Sequence, residues 1–371
     1  MSNLIIENQF KEFKKKKFIF LVYSGRSGKS LFSGLLDVNK KILVMHYSNK
    51  ILSETDNLIK INKDNISDQI IEKSFLKKIK SFNENKKIKF KKILDYLIKK
   101  NNFKDNDLII LVYFCYAKVF NYDLKKIELI FLDCPYLDNF LLVEKYFKNP
   151  KFVYLARNPY NLFFSLKNLY YEQYFNSNIA KNTIQNINLY SLEIIKRSLS
   201  FFDKKRYHLI IKYEDMQKNP KFFLDKLSQF TNTKMIYTNN LTFLNSPKIS
   251  NSSVYKHNSK INENIDNYRY KSSLLQREID LITLMFSKYF KILGYNLENI
   301  KYSKYKLILV FFFLFKNELI PNKKIFKIKS NNELKNSKLY IYFKYIYYVL
   351  INFLFYPKNL FKIYKIILST K

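Results

Sequence analysis

Between Phe18 and Asn299 the chain alternates short, unbroken apolar runs with longer amphipathic stretches. The runs Phe18–Val22, Ile42–His46, Leu108–Val112, Leu129–Leu132, Phe152–Ala156 and Leu209–Lys212 are rich in Ile, Leu, Val and Phe. They do not switch between apolar and polar at every second residue, so each is predicted to be a strand buried on both faces, as in a parallel sheet. Between them, Ser30–Val38, Tyr160–Leu169 and Lys221–Phe230 read as helices. Asn158-Pro159 and Asn219-Pro220 mark two helix starts, with Asn as N-cap and Pro at the first helical position. The expectation is an α/β fold: a mostly parallel central sheet flanked by helices, with the site at the carboxyl ends of the strands.

Two stretches stand apart from this pattern. Residues 52–105 form a lysine-dense helical insertion in which Phe90–Lys100 has amphipathic spacing. Beyond residue 300 the chain becomes a basic, aromatic-rich helical tail, 301–371, with apolar runs at Leu307–Phe315 and Tyr340–Tyr356. Neither run reaches the roughly 20 apolar residues of a spanning helix. Two readings of the tail stand side by side: an amphipathic helix lying on an anionic bilayer, or a helical appendage packed on the main domain. Residues 1–300 are expected to form the main domain.

The net charge of +36 comes from 66 basic and 30 acidic residues. Only six of the basic residues are arginine, at 26, 157, 197, 206, 269 and 277. Lys, Asn and Ile crowd the whole chain and Trp is absent, a pattern that codon bias produces without selection for basicity. The lysine surface attracts acidic partners in general and selects none of them. With 47% hydrophobic residues the chain is no disordered basic tail. Its two cysteines, Cys115 and Cys134, exclude a disulfide-stapled module and a CxxC zinc site, and point to a reducing, cytoplasmic compartment. Lys14–Lys17 precede an apolar run too short for the core of a signal peptide.

Chemistry concentrates in three places. Ser24-Gly25-Arg26-Ser27-Gly28-Lys29-Ser30 lies between a predicted strand and a predicted helix. Gly25 and Gly28 let the backbone curl so that successive amides face one point, the helix start adds its positive end, and Arg26, Lys29 and Ser30 add side-chain donors. Such a P-loop-like turn is expected to cradle phosphate. Gly28-Lys29-Ser30 matches the end of a Walker A motif, but that motif needs a glycine where Tyr23 stands. Second, Arg157 ends the run Phe152–Ala156, with Pro159 two residues later and Ser165 eight residues later. A guanidinium there can grip phosphate with two parallel hydrogen bonds, which lysine cannot. Third, Lys212-Tyr213-Glu214-Asp215-Met216 follows the last predicted strand.

In this order and spacing, the three elements resemble the PAPS-dependent sulfotransferase family. The resemblance covers about residues 18–297 and rests on Gly25–Leu36 as the 5′-phosphosulfate loop, Arg157-Asn158-Pro159 with Ser165 as the 3′-phosphate motif, and Lys212–Met216. Leu293-Gly294-Tyr295 looks like the usual end of such a domain. The resemblance implies transfer of a sulfuryl group from PAPS to an acceptor hydroxyl or amine, without a metal. It assigns Arg26 to the phosphosulfate, with Gly25, Ser27, Gly28, Lys29 and Ser30 forming the loop around it. It assigns Arg157 and Ser165 to the 3′-phosphate, Tyr213 to the adenine, and Arg269 to a late loop closing on the donor. Lys29 departs from the family's usual threonine.

The resemblance also leaves the general base open. The family's E-K-T-P stretch is replaced here by Leu132-Asp133-Cys134-Pro135, so the base candidates are Asp133 and His46, each at a predicted strand end. Arg26 and Lys29 are the candidates for stabilising charge on the leaving phosphate. The expected acceptor is a glycan or lipid-linked saccharide held near 52–105, the expected partners are PAPS and its product PAP, and the expected location is cytoplasmic, with the 301–371 tail contacting the inner membrane face. Nucleic acid is not expected as a partner. The alternatives are a P-loop kinase using ATP, and a non-catalytic basic membrane- or nucleic-acid-binding protein on a degenerate sulfotransferase scaffold.

Overall fold

A computed structural model describes residues 3–45, 66–73, 82–100, 105–176, 187–199, 209–244, 246–247 and 270–301. His46, Arg269 and the whole 302–371 tail lie outside the described residues, as does much of the 52–105 insertion. The chain divides into two compact units, Met1–Asn158 with Arg197–Asp266, and Pro159–Lys196 with Asn267–Lys371.

The first unit is built on strands β1 (Lys17–Tyr23), β2 (Ile42–Val44), β3 (Leu129–Pro135), β4 (Lys151–Ala156) and β5 (Leu209–Lys212). They pair in the order β2-β3-β1-β4-β5, and every pairing is parallel. The unbroken apolar runs explain this. Ile19, Leu21 and Tyr23 of β1 pack on one face with Phe32, Leu35 and Leu36 of helix α2 (Lys29–Leu36). Phe20, between them in sequence, points the other way onto Phe147 at 4.8 Å and Phe152 at 5.7 Å. Both faces are therefore covered, and a strand with one polar face would not suit this sheet.

Five of the six predicted strands are present; Leu108–Val112 is not one of them. It lies inside a helix, Asp105–Val119, which packs beside helix Glu84–Lys100 and helix Asn3–Phe13. The reason is burial on all sides. Phe114 meets Phe10 and Phe13 edge-on, and Leu111, Val112 and Tyr116 are all inaccessible. A helix buried all round has no polar stripe, so its periodicity cannot distinguish it from a buried strand. The predicted amphipathic helix Phe90–Lys100 is the latter part of Glu84–Lys100, with Phe90, Ile93, Leu94 and Leu97 as its buried face. In chain order the first helices are α1 (Asn3–Phe13), α2, α3 (Ile66–Lys73), α4 (Glu84–Lys100), α5 (Asp105–Val119) and α6 (Tyr136–Tyr146).

Helix α7 (Pro159–Asn176) starts at its predicted proline, and α8 (Ile187–Leu199) follows before β5. After β5 come α9 (Tyr213–Lys218) and α10 (Pro220–Thr231). Asn219 caps α10 as expected: its Oδ1 accepts from the Phe222 amide at 3.0 Å. In the second unit α7 packs on α11 (Gln276–Leu293), where the Tyr160 hydroxyl and Thr283 Oγ1 are 2.5 Å apart and the Tyr160 ring stacks on Tyr270. Gly294 closes α11 with φ of 62°, a left-handed C-terminal stop that glycine adopts without strain.

Candidate functional site

All five strands run parallel, so their carboxyl ends share one edge. The chain leaves that edge at Ser24 after β1, at Arg157 after β4 and at Tyr213 after β5, while Asp133 lies within the last three residues of β3. The strand order reverses around β1, the place where open parallel sheets form a crevice for ligands.

The loop after β1 is tightly wound. Ser27 donates both its amide (3.2 Å) and its hydroxyl (2.8 Å) to the Ser24 carbonyl. Arg26 has φ of 70° and Gly28 has φ of 99°, so two residues in three are left-handed. Gly28 sits at the N-cap of α2 and offers no side chain to the first-turn amides. Those amides give the start of the helix a partial positive charge. The Ser24 hydroxyl is buried and has no hydrogen-bond partner among the described residues.

Glycine is required at position 28 for a second reason. A Cβ there would stand 2.3 Å from Cδ2 of Tyr213, so the ring fills the space a side chain would need. The same ring carries the Arg157 guanidinium at 4.5 Å from its centroid. Arg157 Nη1 in turn donates to the Arg26 carbonyl at 2.7 Å. The Arg157 Nε is buried and has no partner among the described residues. Glu214, buried beside Tyr213, accepts from the Asn158 amide at 3.1 Å and so ties α9 to the end of β4.

Beside the loop lies a buried ion pair. Lys29 Nζ is 3.3 Å from Asp133 Oδ1, and it donates to the Met45 carbonyl at 2.7 Å. Asp133 Oδ2 accepts from the Tyr23 hydroxyl at 2.9 Å, and the Asp133 amide donates to the Tyr113 hydroxyl at 2.9 Å. Burial pulls the Lys29 ammonium below the ordinary lysine value, and the Asp133 carboxylate opposes that shift. Both cysteines are buried, and burial pushes their thiols up, away from reactivity.

Gly25 to Ser30, Asp133, Arg157 and Tyr213 thus meet at one edge of the first unit. Ser165 lies in the second unit, buried on α7. Tyr23, Tyr113 and Met45 are site residues that the sequence did not suggest. Tyr23 stood out only as the residue replacing the Walker glycine; nothing in the sequence joined Tyr113, assigned next to a strand, to Asp133. Among the described residues no group of three or more His, Cys, Asp or Glu could hold a metal ion, and no helix is long and apolar enough to cross a membrane.

No protein-family model matches the chain, and no curated protein matches it in sequence. Solved structures do. The sulfotransferase domain of the Synechococcus PCC 7002 olefin synthase superposes with a TM-score of 0.50 at 17% identity, over 76% of this chain and 96% of that one. The sulfotransferase domain of the curacin biosynthetic pathway gives 0.45 at 20% identity, over 76% of this chain and 99% of that one. A sulfotransferase from Mycobacterium avium gives 0.42 at 11% identity, over 80% of this chain and 82% of that one. With its all-parallel, helix-flanked sheet, the chain has a sulfotransferase-like α/β fold.

Proposed function

We propose that the protein transfers a sulfuryl group from PAPS to a hydroxyl or amine of an acceptor. The observation that carries this reading is the convergence of a left-handed, glycine-turned loop and an arginine on one sheet edge, with Arg157 hydrogen-bonded to Arg26. The residues fit an anionic donor. The buried Ser24 hydroxyl and Arg157 Nε are polar groups with no partner among the described residues, and such groups are costly unless something pairs with them.

The amides of Gly28 to Ser30 and the Ser30 hydroxyl hold the 5′-phosphate, the Ser27 amide being held by the Ser24 carbonyl, and the left-handed Arg26 and Gly28 shape the turn. Arg26 stabilises the negative charge that grows on the bridging oxygen, which needs a fixed cation and no proton. Arg157 binds the 3′-phosphate, with Ser165 and Arg269 assigned alongside it from their sequence motifs. Tyr213 borders the adenine. Lys29 supplies a second positive charge at the loop.

Asp133 is the proposed proton acceptor for the attacking hydroxyl, with His46 as the other candidate. The Asp133 carboxylate is engaged by Lys29 and by the Tyr23 hydroxyl. The acceptor is proposed to be a glycan or lipid-linked saccharide approached from the 52–105 region. There α4 keeps its apolar face buried and carries lysines at 86, 87, 89, 91, 92, 99 and 100. The 301–371 tail is proposed to contact an anionic membrane at its cytoplasmic face.

One observation favours a second reading, phosphoryl transfer from ATP. Asp133 lies near the carboxyl end of the strand next to β1 and stands beside Lys29, where a P-loop kinase would carry its magnesium carboxylate. Tyr23 in place of the Walker glycine speaks against it. Thermal-shift titrations with PAP and with ATP plus magnesium separate the two. Stabilisation by PAP without magnesium is expected; stabilisation by ATP with magnesium alone would favour the kinase.

A further inference from the structure

We infer that Arg157 is also a positioning residue for the loop after β1, so that the two phosphate subsites are coupled through one guanidinium. This rests on the proposed nucleotide reading and goes beyond it: the affinity for a 5′-phosphate depends on a residue that never touches that phosphate.

Arg26 is the strained point of the loop. A residue other than glycine with φ of 70° is strained and keeps that conformation only when its surroundings impose it. On one side the turn is fixed by Ser27, whose amide and hydroxyl both reach the Ser24 carbonyl. On the other side the Arg26 carbonyl itself is fixed, and the group that fixes it is Arg157 Nη1 at 2.7 Å. That hydrogen bond spans 131 residues of sequence and connects the end of β4 to the loop of its neighbour β1.

The second support runs through Tyr213. Its ring lies under the Arg157 guanidinium and against Gly28. The sequence of contacts is Arg26 carbonyl, Arg157, Tyr213 ring, Gly28, so both left-handed residues of the loop are braced by one stack. A guanidinium suits this position because it is planar: it can lie on an aromatic face while its edge still donates. Arginine has five donors in a fixed fork, and the bond to Arg26 uses one. The guanidinium can therefore keep the loop in shape while other donors take a phosphate.

Lysine in place of Arg157 could still donate to the Arg26 carbonyl, but it would not stack flat on Tyr213. Glutamine would lose the charge and the stack. Tyr213→Leu would remove the stack while leaving Arg157 in place.

The test uses the full chain and two probes, PAP and adenosine 5′-monophosphate, which has no 3′-phosphate. Calorimetry on Arg157→Gln and Arg157→Lys, both of which lose the flat stack on Tyr213, is expected to show 5′-monophosphate binding weakened about tenfold. A 5′-monophosphate affinity within twofold of wild type, with PAP binding lost, would overturn the coupling and leave the donor-binding reading intact. Amide exchange of Ser27 to Ser30, measured without nucleotide, gives a readout independent of that reading. Exchange at least tenfold faster in Arg157→Gln and Arg157→Lys is expected; unchanged exchange in a folded variant contradicts the inference.

Discussion

Lys29 and Asp133 face one another across 3.3 Å at the head of the sheet, with side-chain exposures of 14% and 1%. The lysine comes from the first turn of α2 and the aspartate from the end of β3, so the pair locks the loop of one strand to its neighbour. Tyr23 and the Met45 carbonyl complete the set, one hydrogen bond to each partner. A buried ammonium held this way is sensitive to the loss of its counterion.

Asp133→Asn should lower stability by about 3 kcal/mol, because the lysine charge stays buried without compensation. The amide can still accept from Tyr23, so the loss reports on charge. The effect should depend on pH. Lys29 already has a depressed value in the folded protein, and without Asp133 it falls further. In the window between that value and the ordinary 10.5, the unfolded chain binds more protons than the folded one, so stability rises with pH there. Urea unfolding of both proteins should show the deficit of the variant shrinking toward pH 10.5. A deficit independent of pH would mean that Lys29 is not the group responsible.

Gly28→Ala combines two faults, a backbone at φ of 99° and a Cβ 2.3 Å from the Tyr213 ring. The expected cost is about 2–3 kcal/mol, read as a drop in melting temperature. Gly28→Ala combined with Tyr213→Ala removes the clash and leaves the backbone strain. Against Tyr213→Ala alone, the added alanine at 28 should then cost only about 1 kcal/mol. Equal costs in both backgrounds would show that the ring is not what confines position 28.

Arg26→Ala should reduce the release of PAP from PAPS by about 10²-fold or more at saturating donor, the scale of losing a preorganised charge in a transfer reaction. Arg26→Lys should recover most of it. A rate unchanged by Arg26→Ala would remove this residue from the proposed chemistry.

Asn219→Ala removes the cap of α10 and should cost about 1 kcal/mol with no change in nucleotide affinity. Denaturant unfolding measures the first and calorimetry the second. A loss of nucleotide affinity as large as that for a loop variant would mean that α10 is coupled to the site.

Much of this arrangement could be read from the residues alone, and the reason is parallel pairing. Once Phe18–Val22, Leu129–Leu132, Phe152–Ala156 and Leu209–Lys212 are recognised as strands of one parallel sheet, their carboxyl ends must lie together. That brings Ser24, Asp133, Arg157 and Tyr213 to one edge. Contacts along that edge were not legible. Arg157 bonding to a carbonyl 131 residues away, and Tyr213 filling the space at Gly28, depend on packing that no local pattern encodes. The Leu108–Val112 stretch misled for a related reason: α5 is buried all round, so its apolar run carries no period. Ser165 is described within its own unit, whereas His46, Arg269 and the 302–371 tail lie outside the described residues.

The most direct test of the central claim is calorimetric titration of PAP, without magnesium, into the full chain and into Arg157→Ala. Saturable one-to-one binding to the wild-type protein is expected, with its loss in the variant while the variant stays folded by circular dichroism. Wild-type affinity for PAP in a folded Arg157→Ala protein, or no PAP binding by the wild-type chain, would contradict it.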